Sequence, residues 1–243
     1  MRRIWTQEFE IRTNELSTDG LLKPESLLAY LQEAAANHAD DLDVGYSQFS
    51  KIDITWVLAR LYFKIDKRPH WKDKLIIDTF PTGVKSLFAT RDFVIKDGGG
   101  ERIGVAHSYW AIINLKTRMP QRRLSSIEHL ELVTDYLPPR DLPKLLPVDT
   151  PSYTKSITPR ISDIDVNRHI SNIAYLTYFI ETLPYEFISR HSVSEAEINF
   201  LAEGFYGDEI DCLACDNGEV GFSHTVKRKS DGAVLANART AWM

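Results

Sequence analysis

The densest chemistry in the sequence sits in seven consecutive residues, Asp163-Ile164-Asp165-Val166-Asn167-Arg168-His169. If this stretch is extended, Asp165, Asn167 and His169 share one face, because strand side chains alternate with a period of two. The stretch leads into an apolar, helix-patterned segment, and a helix N-terminus presents unpaired N–H groups that stabilise a developing oxyanion. A carboxylate, an amide and an imidazole converging there suit hydrolysis, with the imidazole moving a proton and the amide holding a carbonyl oxygen. Asp, Asn and Ser are also ordinary turn and capping residues, so residue types alone leave both readings open. Glu203, in Asn199-Phe200-Leu201-Ala202-Glu203-Gly204, lies 34 residues beyond His169 on an expected strand. By itself such a glutamate is expected to face solvent.

The elements that would position these groups come in two sets. Leu28-Ala29-Tyr30-Leu31-Gln32 recurs in type as Ile173-Ala174-Tyr175-Leu176-Thr177, an offset of 145, and Gly100, Ala106 and Trp110 recur as Gly232, Ala238 and Trp242, an offset of 132. The shared order implies two units of one topology. In the first, a strand over 5–12 precedes a helix over 24–38, with Pro24 suited to its start. Runs rich in β-branched and aromatic residues follow at 54–65, 74–80, 86–96 and 102–114. Prolines at 138, 139, 143, 147 and 151 mark a linker. The second unit repeats the scheme with a strand over 152–159, a helix over 171–183 and strands over 195–205, 209–215, 219–227 and 233–242. Apolar residues surround most of the second helix, which predicts burial on nearly all sides. One long helix followed by an antiparallel meander, twice, is an α+β arrangement. The domains are expected at 1–120 and 152–243, with 121–151 between them. Applied to the site, the offset of 145 puts Asp165, Asn167 and His169 on Gly20, Leu22 and Pro24, so the polar set belongs to one unit only.

Composition narrows the function. With 243 residues, 43% apolar, and 29 basic against 34 acidic side chains, the chain is an ordinary globular one with a formal charge of −5. That balance disfavours nucleic acid as a partner. No apolar run is long enough to span a membrane, and the residues after Met1 do not form a signal peptide, so a cytoplasmic protein is expected. Cys212 and Cys215 lack a second ligand pair at zinc spacing and are expected to be two buried thiols. No metal and no cofactor is expected, and no Gly-rich phosphate loop precedes either helix.

The second unit resembles the plant and bacterial acyl-[acyl-carrier-protein] thioesterases in Asp165-Val166-Asn167-Arg168-His169-Ile170-Ser171-Asn172. The first unit resembles them in Trp56-Val57-Leu58-Ala59-Arg60, in Trp71-Lys72-Asp73, and in Trp110-Ala111-Ile112-Ile113-Asn114 followed by Thr117-Arg118. The resemblance implies a double hotdog fold, two long helices each cradled by an antiparallel sheet. It also implies a catalytic set of Asp165, Asn167, His169 and Glu203. Many members carry a cysteine immediately after the glutamate, where this chain has Gly204, so a thiol nucleophile is not expected. The implied reaction is water attack on a fatty acyl thioester, with Glu203 and His169 as the base, Asn167 and helix N–H groups on the carbonyl, and Asp165 orienting its neighbours.

The same resemblance implies an acyl chain delivered on acyl carrier protein, with the first unit lining an acyl tunnel. Leu27, Leu31, Trp56, Leu58, Phe80 and Phe88 are the candidate lining, and all six suit a plain core equally well. The carrier is acidic, so a basic docking surface is expected at Arg118, Arg122 and Arg123 or at Lys227, Arg228 and Lys229. An acyl-CoA thioesterase is a neighbouring alternative. An enoyl hydratase on the same fold is a rival, but its Asp-x-Asn-Pro-x-His motif is one residue longer. A non-catalytic acyl-binding module would not need the full polar set. A homodimer is a further possibility, since two units in one chain already satisfy hotdog pairing.

Overall fold

The computed structural model describes residues 3–121 and 127–243. The chain divides into two compact units, Met1–Leu22 with Ser26–Leu142 and Lys23–Glu25 with Pro143–Met243.

In the first unit, β1 (Trp5–Glu10) is followed by α1 (Pro24–Asp41) and a short helix, α2 (Tyr46–Phe49). Four strands follow: β2 (Ile54–Ile65), β3 (Lys74–Lys85), β4 (Phe88–Asp97) and β5 (Arg102–Asn114). The strands are antiparallel in the order β1-β3-β4-β5-β2. Leu27, Leu28, Leu31, Ala34, Ala35, His38 and Ala39 are buried along α1, the i, i+3/i+4, i+7 stripe that lays a helix on a sheet. Ala39 packs with Ile54 of β2 and Ile112 of β5, and His38 meets Arg91 of β4 at 3.0 Å.

The second unit runs β6 (Tyr153–Ile157), α3 (Asn172–Glu181), a short α4 (Tyr185–Ile188), β7 (Val193–Phe200), β8 (Ile210–Asp216), β9 (Gly221–Arg228) and β10 (Val234–Trp242). Its order, β7-β10-β9-β8-β6, reproduces strand for strand that of the first unit. The Ser171 hydroxyl caps α3 by accepting the Ala174 N–H at 3.1 Å. No residue of α3 is exposed, as its all-round apolar character predicts. Each unit is thus a long helix on an antiparallel sheet, the hotdog arrangement.

The proline-bearing segment packs against the units along most of its described length. Ile127 joins the Ala39 cluster, Val133 and Leu137 pack on Phe80, and Leu142 packs on Tyr62 and Tyr109. In the second unit, the Leu145 N–H donates to Asn199 Oδ1 at 2.8 Å and the Val148 N–H to Thr225 Oγ1 at 2.8 Å. Apolar side chains at irregular spacing anchor this segment while its prolines keep it out of the ladders.

Candidate active site

The Asp165–His169 stretch is a tight turn, not the extended strand its alternating pattern suggests. The Asp165 N–H donates to His169 O at 2.8 Å and the Arg168 N–H to Asp165 O at 3.0 Å, while Arg168 takes a positive φ of 66°. This is a three-residue hairpin loop closed by a left-handed residue. Asp165 Oδ1 accepts the N–H groups of Asn167 at 2.8 Å and of His169 at 3.2 Å. The carboxylate therefore fixes the turn, and its Oδ2 lies 3.4 Å from Asn167 Nδ2. Behind the turn, Asp163 Oδ2 accepts from the Tyr178 hydroxyl of α3 at 2.8 Å.

Glu203 lies three residues past the end of β7 rather than on a strand. The N–H groups of Leu201 and Ala202 both donate to Leu235 O, at 2.8 and 3.3 Å, so the ladder stops and the chain turns out of the sheet. The Ile170 N–H then donates to Gly204 O at 2.8 Å, which draws the two segments together. Glu203 Oε2 reaches 3.6 Å from His169 Nε2, with the two side chains 41% and 20% exposed, so water has access to the pair. That separation exceeds a direct hydrogen bond and fits one bridged by water. The Phe205 ring stands edge-on to His169 at 5.1 Å.

Gly204 occupies a filled space. A Cβ there would meet Ile170 Cδ1 at 2.6 Å, the Tyr175 hydroxyl at 2.9 Å and Leu235 Cδ1 at 3.1 Å. Tyr175, on α3, is buried, and its hydroxyl lies against the Gly204 backbone. The thiols lie on β8 instead. Cys212 is buried and Cys215 half-exposed, a correction to the expectation of two buried thiols. Positions three apart on a strand face opposite ways. Burial pushes the Cys212 thiol up to about 12, which leaves it inert.

The first unit contains the same turn without the same chemistry, and it corrects the repeat register. Bridges Leu16↔Leu22 and Ile164↔Ile170 correspond. So do the tyrosine–carboxylate pairs Tyr30–Glu15 and Tyr178–Asp163, an offset of 148 rather than 145. Gly20, with φ of 78°, stands where Arg168 stands. Asp165, Asn167 and His169 thus match Ser17, Asp19 and Leu21. By the matching bonds Leu22 N–H to Pro69 O and Ile170 N–H to Gly204 O, Glu203 matches Arg68. Arg68 is buried and pairs with Asp19 at 2.7 Å. Turn formers therefore stand in both units, whereas the imidazole and the glutamate stand only in the second. The polar set is partly a turn requirement, and the part that is not is His169 with Glu203.

A cavity of about 220 Å³ opens in the first unit, lined by Ala35, Ala36 and Ala39 of α1, Trp56 of β2, Trp110 of β5, and Leu130 among others. Of the six lining candidates, Trp56 borders it. Leu27, Leu31, Leu58 and Phe80 are buried in the core, and Phe88 stacks on Tyr109 beneath the Arg60 guanidinium. The alanines were missed, although Ala35, Ala36 and Ala39, at i, i+1 and i+4, leave unfilled volume on one helix face. Among the basic candidates, Arg118 follows β5 with a positive φ of 58°, and Arg122 and Arg123 lie outside the described residues. Lys227 is exposed, Arg228 is engaged by Asp208 and Asp231, and Lys229 lies between Glu209 and Asp211. Among the described residues no cluster of His, Cys, Asp or Glu could hold a metal ion, and no helix is long and apolar enough to cross a membrane.

The model of the acyl-ACP thioesterase N-terminal domain matches residues 2–129, and that of the C-terminal domain matches residues 148–243. The chain belongs to the acyl-ACP thioesterase family. It is 29% identical over 262 residues to a chloroplastic palmitoyl-acyl carrier protein thioesterase of Arabidopsis thaliana, covering 98% of this chain and 64% of that protein. An oleoyl-acyl carrier protein thioesterase of the same plant is 25% identical, over 98% of this chain and 75% of its own. A crystal structure of an acyl-ACP thioesterase from Bacteroides thetaiotaomicron superposes with a TM-score of 0.89 at 28% identity, covering 99% of this chain and 98% of that one. A 12:0-ACP thioesterase from Umbellularia californica, at TM-score 0.84 and 23% identity over 100% and 98% of the two chains, shares the fold. In this acyl-ACP thioesterase family member the double hotdog is thus in place, and the residue after the glutamate is a glycine hemmed in by Tyr175.

Proposed function

We propose that the chain hydrolyses the thioester of a fatty acyl group carried on acyl carrier protein, releasing free fatty acid and the carrier's thiol. The observation that carries this reading is the His169–Glu203 pair, set 3.6 Å apart beside α3 in the one unit of the two that has it. A water between the two side chains loses a proton to the pair and attacks the thioester carbonyl. The carbonyl oxygen becomes an oxyanion held by Asn167 and the N–H groups at the start of α3. Collapse of the tetrahedral intermediate breaks the C–S bond, and the thiolate takes the proton back from the pair. Asp165 acts through the backbone, since it holds the N–H groups of Asn167 and His169. With Gly204 hemmed in and the Cys212 thiol inert, no acyl-enzyme forms on sulfur.

The apolar cavity of the first unit is the place for the acyl chain, with Trp56 as one wall and the alanines of α1 as another. Arg118 and Lys227 are the basic side chains best placed to meet an acidic carrier. Free thiols at Cys212 and Cys215 fit a reducing, cytoplasmic setting. The test is thiol release from acyl carrier protein and coenzyme A thioesters over a series of chain lengths. Release from carrier-borne acyl chains is expected; release from coenzyme A esters alone would reassign the carrier, and none from any thioester would leave an acyl-binding module.

A further inference from the structure

The turn that carries Glu203 is held from one side by the His169–Ile170 backbone and from the other by a single side chain, Arg228 of β9. Arg228 Nη1 donates to the Glu203 carbonyl oxygen at 3.3 Å and to Asp208 Oδ2 at 3.4 Å, while Nε and Nη2 donate to the two oxygens of Asp231, each at 3.1 Å. Asp208 Oδ2 also accepts the Phe205 N–H at 2.9 Å, and Phe205 is the residue whose ring abuts His169. One guanidinium thus ties together Glu203, the segment carrying Phe205, and the β9–β10 hairpin. The guanidinium spreads its donors over three nitrogens in one plane, whereas an ammonium donates from a single nitrogen and cannot span the same set of acceptors.

The first unit builds the same turn without this guanidinium, joining it to the end of β4 by a pair of reversed charge, Lys67 with Asp97 at 3.5 Å. There the His70 N–H donates to Asp73 Oδ2 at 2.8 Å, matching Phe205 with Asp208. Among the described residues no lysine or arginine pairs with Asp73. The register Leu75↔Asp97 in the first unit answers Ile210↔Arg228 in the second, so the position of Arg228 is taken by Asp97, a side chain of opposite charge. The same turn folds in both units, and an arginine stands at this strand position only in the unit that has His169 and Glu203.

The geometry points to Arg228 as a positioning residue for Glu203, one that sets the Glu203–His169 separation for water activation rather than docking the carrier. This rests on the thioesterase reading above. The experiment measures kcat and KM of Arg228→Gln and Arg228→Lys on a small acyl thioester and on acyl carrier protein thioesters, with folding checked by circular dichroism and melting. Expected is a fall in kcat of roughly ten- to a hundredfold on both substrates, the cost of an ångström-scale misplacement, with KM within about twofold. Lysine restores the charge but not the fork, so it does not recover kcat. Unchanged kcat on the small thioester, with KM raised only on the carrier substrate and restored by lysine, would overturn the assignment in favour of docking. Should Arg228→Gln fail to fold, the isosteric Asp208→Asn takes the charge from one partner of the clamp while keeping an oxygen for the Phe205 N–H, and is expected to lower kcat in the same pattern; full activity there counts against it. A wild-type protein that releases no thiol sinks the thioesterase reading instead. The positioning is then read from the His169 ring signals in nuclear magnetic resonance, which shift in Arg228→Gln but not in Arg190→Gln; no shift overturns it.

Discussion

At the scale of single residues, the comparison of the two turns separates groups that shape the backbone in both units from groups, proposed to be catalytic, that stand in one. Asp165 has a polar counterpart in Ser17, whereas His169 faces Leu21 and Glu203 faces Arg68 across the repeat. His169→Ala and Glu203→Ala should each lower kcat by about two orders of magnitude or more, the usual worth of general-base assistance. The double variant should fall little further, because two groups that share one proton act as a unit. Steady-state kinetics on one thioester checks both, and near-normal turnover in either single variant removes that residue from the mechanism. Gly204→Cys tests the same region from the opposite direction. The new Cβ would sit 2.6 Å from Ile170 Cδ1 and 2.9 Å from the Tyr175 hydroxyl, so overpacking should cost about 1–3 kcal/mol. The variant is expected to melt lower and turn over more slowly than wild type, and Tyr175→Phe in the same chain should recover part of the loss. A thiol at 204 that left melting and turnover unchanged would show that the space is not closed.

At the scale of elements, the α1 helix borders the unfilled volume in which the acyl chain is proposed to lie. Ala35, Ala36 and Ala39 stand on the face that borders the cavity, and a larger side chain there removes room one methylene at a time. Ala35→Leu should shift preference toward shorter acyl chains, by about 0.8 kcal/mol, or roughly fourfold in kcat/KM, for each methylene excluded. A chain-length profile with an unchanged melting temperature is the check, and an unaltered profile would place the acyl chain elsewhere. Most elements were legible in the sequence. β2 and β5 follow their β-branched and aromatic runs residue for residue, and α3 is as buried as its composition demands. The register of the repeat was not legible, for a reason internal to helices. Matching Leu28-Ala29-Tyr30-Leu31 to Ile173-Ala174-Tyr175-Leu176 puts Tyr30 on Tyr175, whereas its hydrogen bond to Glu15 puts it on Tyr178. Positions three apart share a helix face, so pattern alone cannot choose between the two tyrosines, while the carboxylate partner can. Glu203 was legible as a candidate but not in its place. Leu201 and Ala202 prolong the apolar run of β7, and only the doubled use of the Leu235 carbonyl, a long-range contact, ends the strand before Glu203 and aims it at His169.

At the scale of the whole molecule, the two units share a topology and differ in what they hold, the first an apolar cavity and the second the His169–Glu203 pair, and the second also carries a buried histidine whose burial couples stability to pH. His224, on β9, is 1% exposed and lies among the rings of Phe179 and Phe222. Its Nε2 meets Thr240 Oγ1 at 2.8 Å, and Nδ1 is buried with no hydrogen-bond partner among the described residues. An imidazolium there would bury a charge and point a second N–H at nothing, and burial accordingly pushes its pKa down to about 3. The unfolded chain binds that proton with the ordinary histidine value near ~6.5, so between ~6.5 and about 3 the unfolded state holds more protons than the folded one. The stability is therefore fully present above ~6.5 and is lost as pH falls, by about 1.4 kcal/mol for each unit once well below that value. Between pH 7 and pH 5 this amounts to roughly 2 kcal/mol, in a range where carboxylates, titrating near ~4, contribute little. Urea unfolding followed at both pH values in wild type and in His224→Leu, which keeps an apolar side chain at the site, should show the loss in wild type and a much smaller one in the variant. Parallel slopes in the two proteins would mean that His224 is not the group that titrates.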